Sequence, residues 1–115
     1  ESQIEHAGIE QFFDGRLSVE PLNIYKPHPR TYHWAAHEVG VPIGDCMLIA
    51  THGWDVTGAT LAGMRAAFLE RPGKTLYPLG PNIEIRDATW SPLPINWWLC
   101  RSEVRARQEL SFVLI

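Results

Sequence analysis

The segment Ala50-Thr51-His52-Gly53-Trp54-Asp55-Val56-Thr57-Gly58-Ala59 follows the apolar run Met47-Leu48-Ile49 and leads into Thr60-Leu61-Ala62-Gly63. An apolar run that stops abruptly at polar and glycine residues, then resumes with small helix-compatible ones, predicts a buried strand, a polar loop and a helix. That order restricts the chain to an α/β arrangement with a parallel sheet. In such sheets side chains and free backbone N–H groups converge at the carboxyl ends of the strands, so the chemistry is sought at this junction.

A second polar island, Tyr25-Lys26-Pro27-His28-Pro29, stands between the apolar segment from Leu17 to Ile24 and a helical pattern from Thr31 to Val39. Two prolines fix the backbone around Lys26, and Pro29 suits the first turn of the helix. The helix from Pro29 or Arg30 is expected to bury Tyr32, Ala35, Ala36 and Val39 and to end at Gly40. Arg16 to Val19 is predicted as a short strand, Pro42 to Asp45 as a turn and Cys46 to Ala50 as a buried strand. Val56 to Ala62 is predicted as a helix, Ala66 to Leu69 as the next strand and Ile83 to Arg86 as a further one. Together they form a βαβαβ run. Ser2 to Ala7 is predicted as a short helix stopped by Gly8, with Ile9 to Phe13 packing on the sheet edge.

Four stretches in order carry a family resemblance. They are Phe12-Phe13-Asp14 with Leu17-Ser18-Val19-Glu20; Lys26-Pro27-His28-Pro29-Arg30-Thr31-Tyr32; Ala50 to Ala59; and Ala66-Ala67-Phe68-Leu69-Glu70-Arg71-Pro72-Gly73. The sequence resembles the haloacid dehalogenase superfamily, and Lys-Pro paired with His-x-Trp-Asp-x-x-Gly-Ala looks like its type II 2-haloacid dehalogenases. The resemblance implies a Rossmann-like α/β core, of which this chain holds the carboxyl-terminal half. The family's nucleophilic Asp, its Ser/Thr-Asn motif and its helical cap are not found in the chain. Residues 1–88 are read as that half-core and residues 89–115 as a divergent Trp/Pro-rich tail. The tail is expected to be a frameshift product, with a genuine interaction segment as the alternative. A sheet lacking the strand that bears the nucleophile is expected to expose an unpaired apolar edge.

The resemblance also implies roles. Lys26 matches the motif lysine, which keeps a neighbouring carboxylate ionised; two unit charges at 4 Å attract by roughly 4 kcal/mol at an effective dielectric near 20. Asp55 matches the final acidic position, with an ordinary helix N-cap as the bland alternative. Thr51 stands where the phosphatase branch commonly carries the first of two acids, and Mg²⁺ prefers several hard oxygen ligands. No cofactor is therefore expected, with Mg²⁺ implied only if the chain is a phosphatase. His52 is assigned to positioning water or the loop, and Trp54 to walling the substrate pocket. The implied reaction is hydrolytic dehalogenation of short 2-haloalkanoic acids through an Asp ester in an intact parent, with the isolated chain inactive. A phosphatase and a non-catalytic interaction protein are the rival readings.

Composition narrows the partners. A formal net charge of −3 without a Lys/Arg stripe gives no footprint for nucleic acid. No run of about 18 apolar residues suggests a membrane span. The expected partner is a small 2-halo acid, with a homodimer open for the parent. Cys46 and Cys100 form no metal-spaced pair, which favours a reducing cytoplasm. His33 and His37, with His28 nearby, offer imidazoles one helical turn apart, yet without a third ligand in register they read as an exposed polar face.

Overall fold

Cys46–Ala50 is β-branched or apolar almost throughout and becomes the central strand, β2, with Leu48 fully buried and Ile49 and Ala50 nearly so. A strand covered on both faces needs such a continuous apolar run. The computed structural model describes residues 13–88, Gly8, Gln11 and the backbones of two later strands. In chain order the elements are β1 (Gly15–Leu17), α1 (Pro29–Val39), β2, α2 (Gly53–Leu61), β3 (Arg65–Leu69), β4 (Ile85–Asp87), β5 (Trp97–Arg101) and β6 (Glu109–Leu114). Short 3-10 turns at Glu20–Leu22 and Ile43–Asp45 link the first three.

The sheet runs β1-β6-β5-β2-β3-β4. Strands β2, β3 and β4 are parallel, with Ala50 opposite Phe68 and Phe68 opposite Arg86. This is the half of a Rossmann-like α/β core that the sequence predicts. Helix α2 returns the chain from β2 to β3 and buries Gly53, Asp55, Val56, Gly58 and Ala59. Those small side chains let the helix lie close to the sheet. Tyr32, Ala35 and Ala36 of α1 join Leu48, Val56, Ala59 and Phe68 in one core, and Val39 packs on it half-buried.

Helix α1 matches its predicted limits because both ends carry local signals. His28 caps it, its Nδ1 accepting from the Arg30 N–H at 3.2 Å, Pro29 opens the first turn, and Gly40 closes it at φ 69°. Only glycine adopts that left-handed conformation readily.

Three expectations need correction. The strand predicted over Arg16–Val19 ends at Leu17, because Ser18 Oγ accepts the Glu20 N–H at 3.3 Å and Glu20–Leu22 turns away; Val19 is buried in that turn. Nor does β1 continue the βαβαβ run beside β2; it pairs in parallel with β6. The apolar edge expected to stay open on β2 is covered by β5, antiparallel to it. The helix and edge segment predicted for Ser2 to Phe13 lie almost wholly outside the described residues.

Candidate active site

The carboxyl end of β2 delivers Thr51 and His52, and α2 starts at Gly53, three residues before the sequence predicts. The Asp55 and Val56 N–H groups both donate to the His52 carbonyl, at 3.1 and 3.3 Å, which fixes that early start. Asp55 therefore sits inside the first helical turn with its carboxylate free for other partners. It is not the N-cap; His52 holds that position.

Its partners come from the second polar island. Lys26 Nζ donates to Asp55 Oδ2 at 2.8 Å, and the Tyr32 hydroxyl donates to Oδ1 at 2.7 Å. The Asp55 side chain is fully buried and that of Lys26 is 10% exposed. A buried carboxylate is tolerated where both oxygens are hydrogen-bonded and a cation stands beside it. Here both conditions hold. The Lys26-Pro27 peptide is cis.

Trp54, half-buried, lies over the lysine: Nζ is 5.8 Å from its ring centroid, within cation–π range. Its ring is also 5.5 Å from that of His52. Thus the structure gathers Lys26, Asp55, Trp54 and His52 at one end of β2. Thr51 stands at the same strand end, half-buried, and makes no side-chain hydrogen bond among the described residues.

Two members of the cluster escape the sequence reading. Tyr32 is recognisable from its spacing as a core residue, but its buried hydroxyl is also Asp55's second partner. Burial foremost, then the Asp55 charge and the hydrogen bond to it, push the phenol well above its ordinary range. A raised phenol pKa stabilises the fold fully below the unfolded value near 10, and this contribution is lost as pH climbs past it, by roughly 1.4 kcal/mol per pH unit. Tyr32→Phe should cost about 1.5–3 kcal/mol at pH 7, as for a hydrogen bond to a charged group. The gap between the two proteins should then shrink above pH ~10. Urea midpoints measured from pH 7 to 11 check this, and a constant gap would show that Tyr32 ionises without hindrance.

Lys74 is the other. Its Nζ is 3.2 Å from His52 Nε2. An ammonium only donates, so Nε2 accepts and the ring proton of the neutral imidazole belongs to Nδ1. Nδ1 is buried and has no hydrogen-bond partner among the described residues. Gly53 permits this approach, since a Cβ there would run into the Thr75 carbonyl oxygen and lie 3.2 Å from Leu76 Cα. Long-range ¹H–¹⁵N correlations of the His52 ring should show the Nδ1–H tautomer and a shift toward Nε2–H in Lys74→Met. An unchanged pattern would remove Lys74 from the site.

A hollow of about 820 Å³ opens beyond β3, lined by Glu70, Lys74, Tyr77, Asn82 and Arg86 among others. Neither Lys26 nor Asp55 lines it, so the hollow neighbours the cluster through Lys74 without containing it. His33 and His37 are exposed, and His28 serves as the α1 cap. Among the described residues no group of three or more His, Cys, Asp or Glu gathers as a metal site would require.

A Rossmann-like half-sheet whose strand ends hold a Lys–Asp pair under a tryptophan defines a class. The chain belongs to the haloacid dehalogenase superfamily, a family of enzymes. It is 32% identical over 84 residues to an (S)-2-haloacid dehalogenase of Pseudomonas sp. (strain YL), covering 71% of this chain and 36% of that protein. It is 29% identical over 100 residues to (S)-2-haloacid dehalogenase 4A of Burkholderia cepacia, 84% of this chain and 43% of that one. Phosphatase MT3486 of Mycobacterium tuberculosis is 34% identical over 74 residues, 64% of this chain and 34% of its own length. A solved dehalogenase structure, an intermediate complex, superposes with a TM-score of 0.68 at 26% identity, over 75% of this chain and 38% of that one. No family model matches. The chain thus spans well under half the length of the curated relatives it matches.

Proposed function

We propose that this chain supplies the lysine–aspartate side of a catalytic centre for hydrolytic dehalogenation of short 2-haloalkanoic acids. The observation that carries the reading is the buried Lys26–Asp55 pair at the end of β2, braced by Tyr32 and covered by Trp54. In the reaction a carboxylate oxygen attacks C2 of the substrate, the carbon–halogen bond breaks and halide leaves with its electron pair. Water then adds to the ester carbonyl, releasing the 2-hydroxy acid and returning the carboxylate, with one proton lost to solvent. Splitting a difficult displacement into two steps is the advantage of covalent catalysis.

Each residue has a place in that scheme. Lys26 carries three N–H donors and Asp55 takes one, so two remain for an anionic reactant. Asp55 and Tyr32 act as positioning residues that hold the ammonium. Trp54 walls the apolar part of the pocket. His52, through its contact with Lys74, positions the loop, and Thr51 lines the strand end. The nucleophilic carboxylate is supplied from outside this set, and the chain alone is expected to release no halide.

The donor set argues for chemistry without a metal. Both Asp55 oxygens are committed, one to a cation, and Thr51 provides a neutral oxygen where a second acid would stand. Mg²⁺ demands near-octahedral oxygen coordination and binds poorly beside an ammonium. The similarity to a phosphatase keeps phosphate-ester hydrolysis as the second reading. Among the described residues no helix is long and apolar enough to cross a membrane. We place the reaction in the cytoplasm, a reducing compartment in which a buried cysteine such as Cys46 packs as a small hydrophobe.

The test grafts residues 25–60 into the Pseudomonas sp. (strain YL) relative in place of the matching segment. The chimera should release halide from (S)-2-chloropropionate in the presence of a chelator, and Lys26→Ala within it should lower kcat far more than it raises KM. Phosphate release that requires Mg²⁺, without halide release, would favour the second reading. An unchanged kcat in the Lys26 variant would make the lysine a bystander.

A further inference from the structure

The sequence Arg71-Pro72-Gly73-Lys74 folds as a turn with a cation at each end. The Lys74 N–H donates to the Arg71 carbonyl oxygen at 3.0 Å, and Gly73 takes φ 75°. Proline followed by glycine at the two central positions suits a type II turn, and such closure brings the first and last Cα atoms within about 7 Å. Tyr77-Pro78-Leu79-Gly80 makes a second turn, the Gly80 N–H donating to the Tyr77 carbonyl oxygen at 3.0 Å. The connection between them rests on α2: a Cβ at Gly53 would run into the Thr75 carbonyl oxygen, and one at Gly80 would stand 3.5 Å from Thr57 Oγ1. These turns, with the carboxyl end of β3 and with β4, line the hollow of about 820 Å³.

Its lining sets Arg71, Lys74 and Arg86 against the carboxylate of Glu70, in a chain whose formal net charge is −3. A cleft charged against the trend of the whole protein concentrates counter-ions. Glu70 Oε1 accepts from Arg86 Nη2 at 2.9 Å, which uses one of the five N–H donors of that guanidinium. Lys74 Nζ turns one of its three donors to His52 Nε2. Among the described residues, donors on both groups therefore remain for an anion. The floor is apolar: Phe68 and Ile83 are buried on it, and Leu76 is half-buried beside them. Small-molecule sites combine such a lining with a few placed polar groups, in volumes of about 300–1,000 Å³. We infer that this hollow binds a small organic carboxylate with an apolar body, its carboxylate on Lys74 and Arg86 and its body against Phe68, Leu76 and Ile83.

Neither Lys26 nor Asp55 lines the hollow, so its occupant is not the molecule that reacts beside them. Lys74 is nevertheless shared. An anion on Nζ competes with His52 Nε2 for the ammonium, so occupancy of the hollow reaches the loop that opens α2. The inference is independent of the dehalogenase reading.

The experiment titrates the ¹⁵N-labelled 115-residue chain with phenylacetate at fixed ionic strength and follows backbone amide and His52 ring signals. Saturable shifts are expected at Lys74, Tyr77, Asn82 and Arg86 and in the His52 ring, with Lys26 and Tyr32 unmoved. Lys74→Met and Arg86→Gln should each raise Kd roughly tenfold or more, the loss expected when a charge-assisted hydrogen bond is removed. Both side chains are exposed, so the folded spectrum should survive either change. Arg65→Gln, which removes a cation bound to Glu84 and outside the hollow, should leave Kd unchanged. Phenylacetamide lacks the charge and inorganic phosphate lacks the apolar body, so each should bind roughly tenfold more weakly than phenylacetate or worse. Shifts that do not saturate, shifts centred on Lys26 and Tyr32, phenylacetamide or phosphate bound as tightly as phenylacetate, or an unchanged Kd in either the Lys74 or the Arg86 variant would each overturn the assignment.

Discussion

Lys26→Met should cost about 3–5 kcal/mol of folding stability, the magnitude found when one partner of a buried ion pair is removed and the other charge is left without compensation. The loss is large because Asp55 is fully buried and Tyr32 alone cannot replace a cation. Small domains hold only about 5–15 kcal/mol in total, so a substantial unfolded population is expected at room temperature. Adding Asp55→Asn removes the stranded charge while its amide oxygen still accepts from Tyr32. The double variant should therefore be more stable than Lys26→Met alone, a non-additive result expected of groups in direct contact. Urea unfolding of the wild type, both single variants and the double variant closes the cycle. A loss below about 1 kcal/mol for Lys26→Met would mean that the pair behaves as a solvated surface bridge, which contributes that little. The proposed catalytic role would then lose its physical basis, because a lysine held so loosely does not orient a reactant.

The same cluster shows where sequence reasoning has reach. Strand β2 and helix α1 are legible because continuous apolar residues, Pro29 and Gly40 are local signals with local causes. Lys26 and Asp55 are legible through the order of four motifs, and the structure brings them into contact across 29 positions. Tyr32 is half legible: helical spacing reports that its ring is buried, whereas nothing in a periodicity reports where its hydroxyl goes. The start of α2 is missed because Gly53 and Trp54 carry loop character, whereas the Asp55 and Val56 N–H groups close the first turn on the His52 carbonyl and Gly53 packs against the Thr75 backbone. Lys74 lies in a Gly- and Pro-flanked connection without pattern, and its contact with His52 depends on how that loop folds back. The covering of β2 by β5 is a long-range pairing. An apolar Trp-rich run reads equally well as exposed surface or as a strand until a partner is assigned.

Gly58→Ala separates a local preference from a tertiary constraint at the centre of the site. In an isolated helix alanine is favoured over glycine by about 1 kcal/mol. Within this fold a Cβ at position 58 would stand 2.6 Å from Pro27 Cβ, 2.9 Å from the Tyr32 hydroxyl and 3.0 Å from the Pro27 carbonyl oxygen. Two of those neighbours belong to the rigid Lys26-Pro27 loop, and the third is the hydroxyl that holds Asp55. None is the loose end of a flexible side chain. Relief requires α2 to move away from that loop, which lengthens the Lys26–Asp55 contact and leaves the Tyr32 hydrogen bond strained. Overpacking of this kind costs about 1–3 kcal/mol, enough to cancel the helical gain and leave a net loss. Thermal and urea unfolding of Gly58→Ala should therefore show a destabilised protein. In the grafted relative the same change should lower kcat, since it displaces the ammonium from its setting. A variant more stable than the wild type would mean that the loop yields freely at Gly58, and that helix α2, rather than its contact with Pro27 and Tyr32, fixes the position of Asp55.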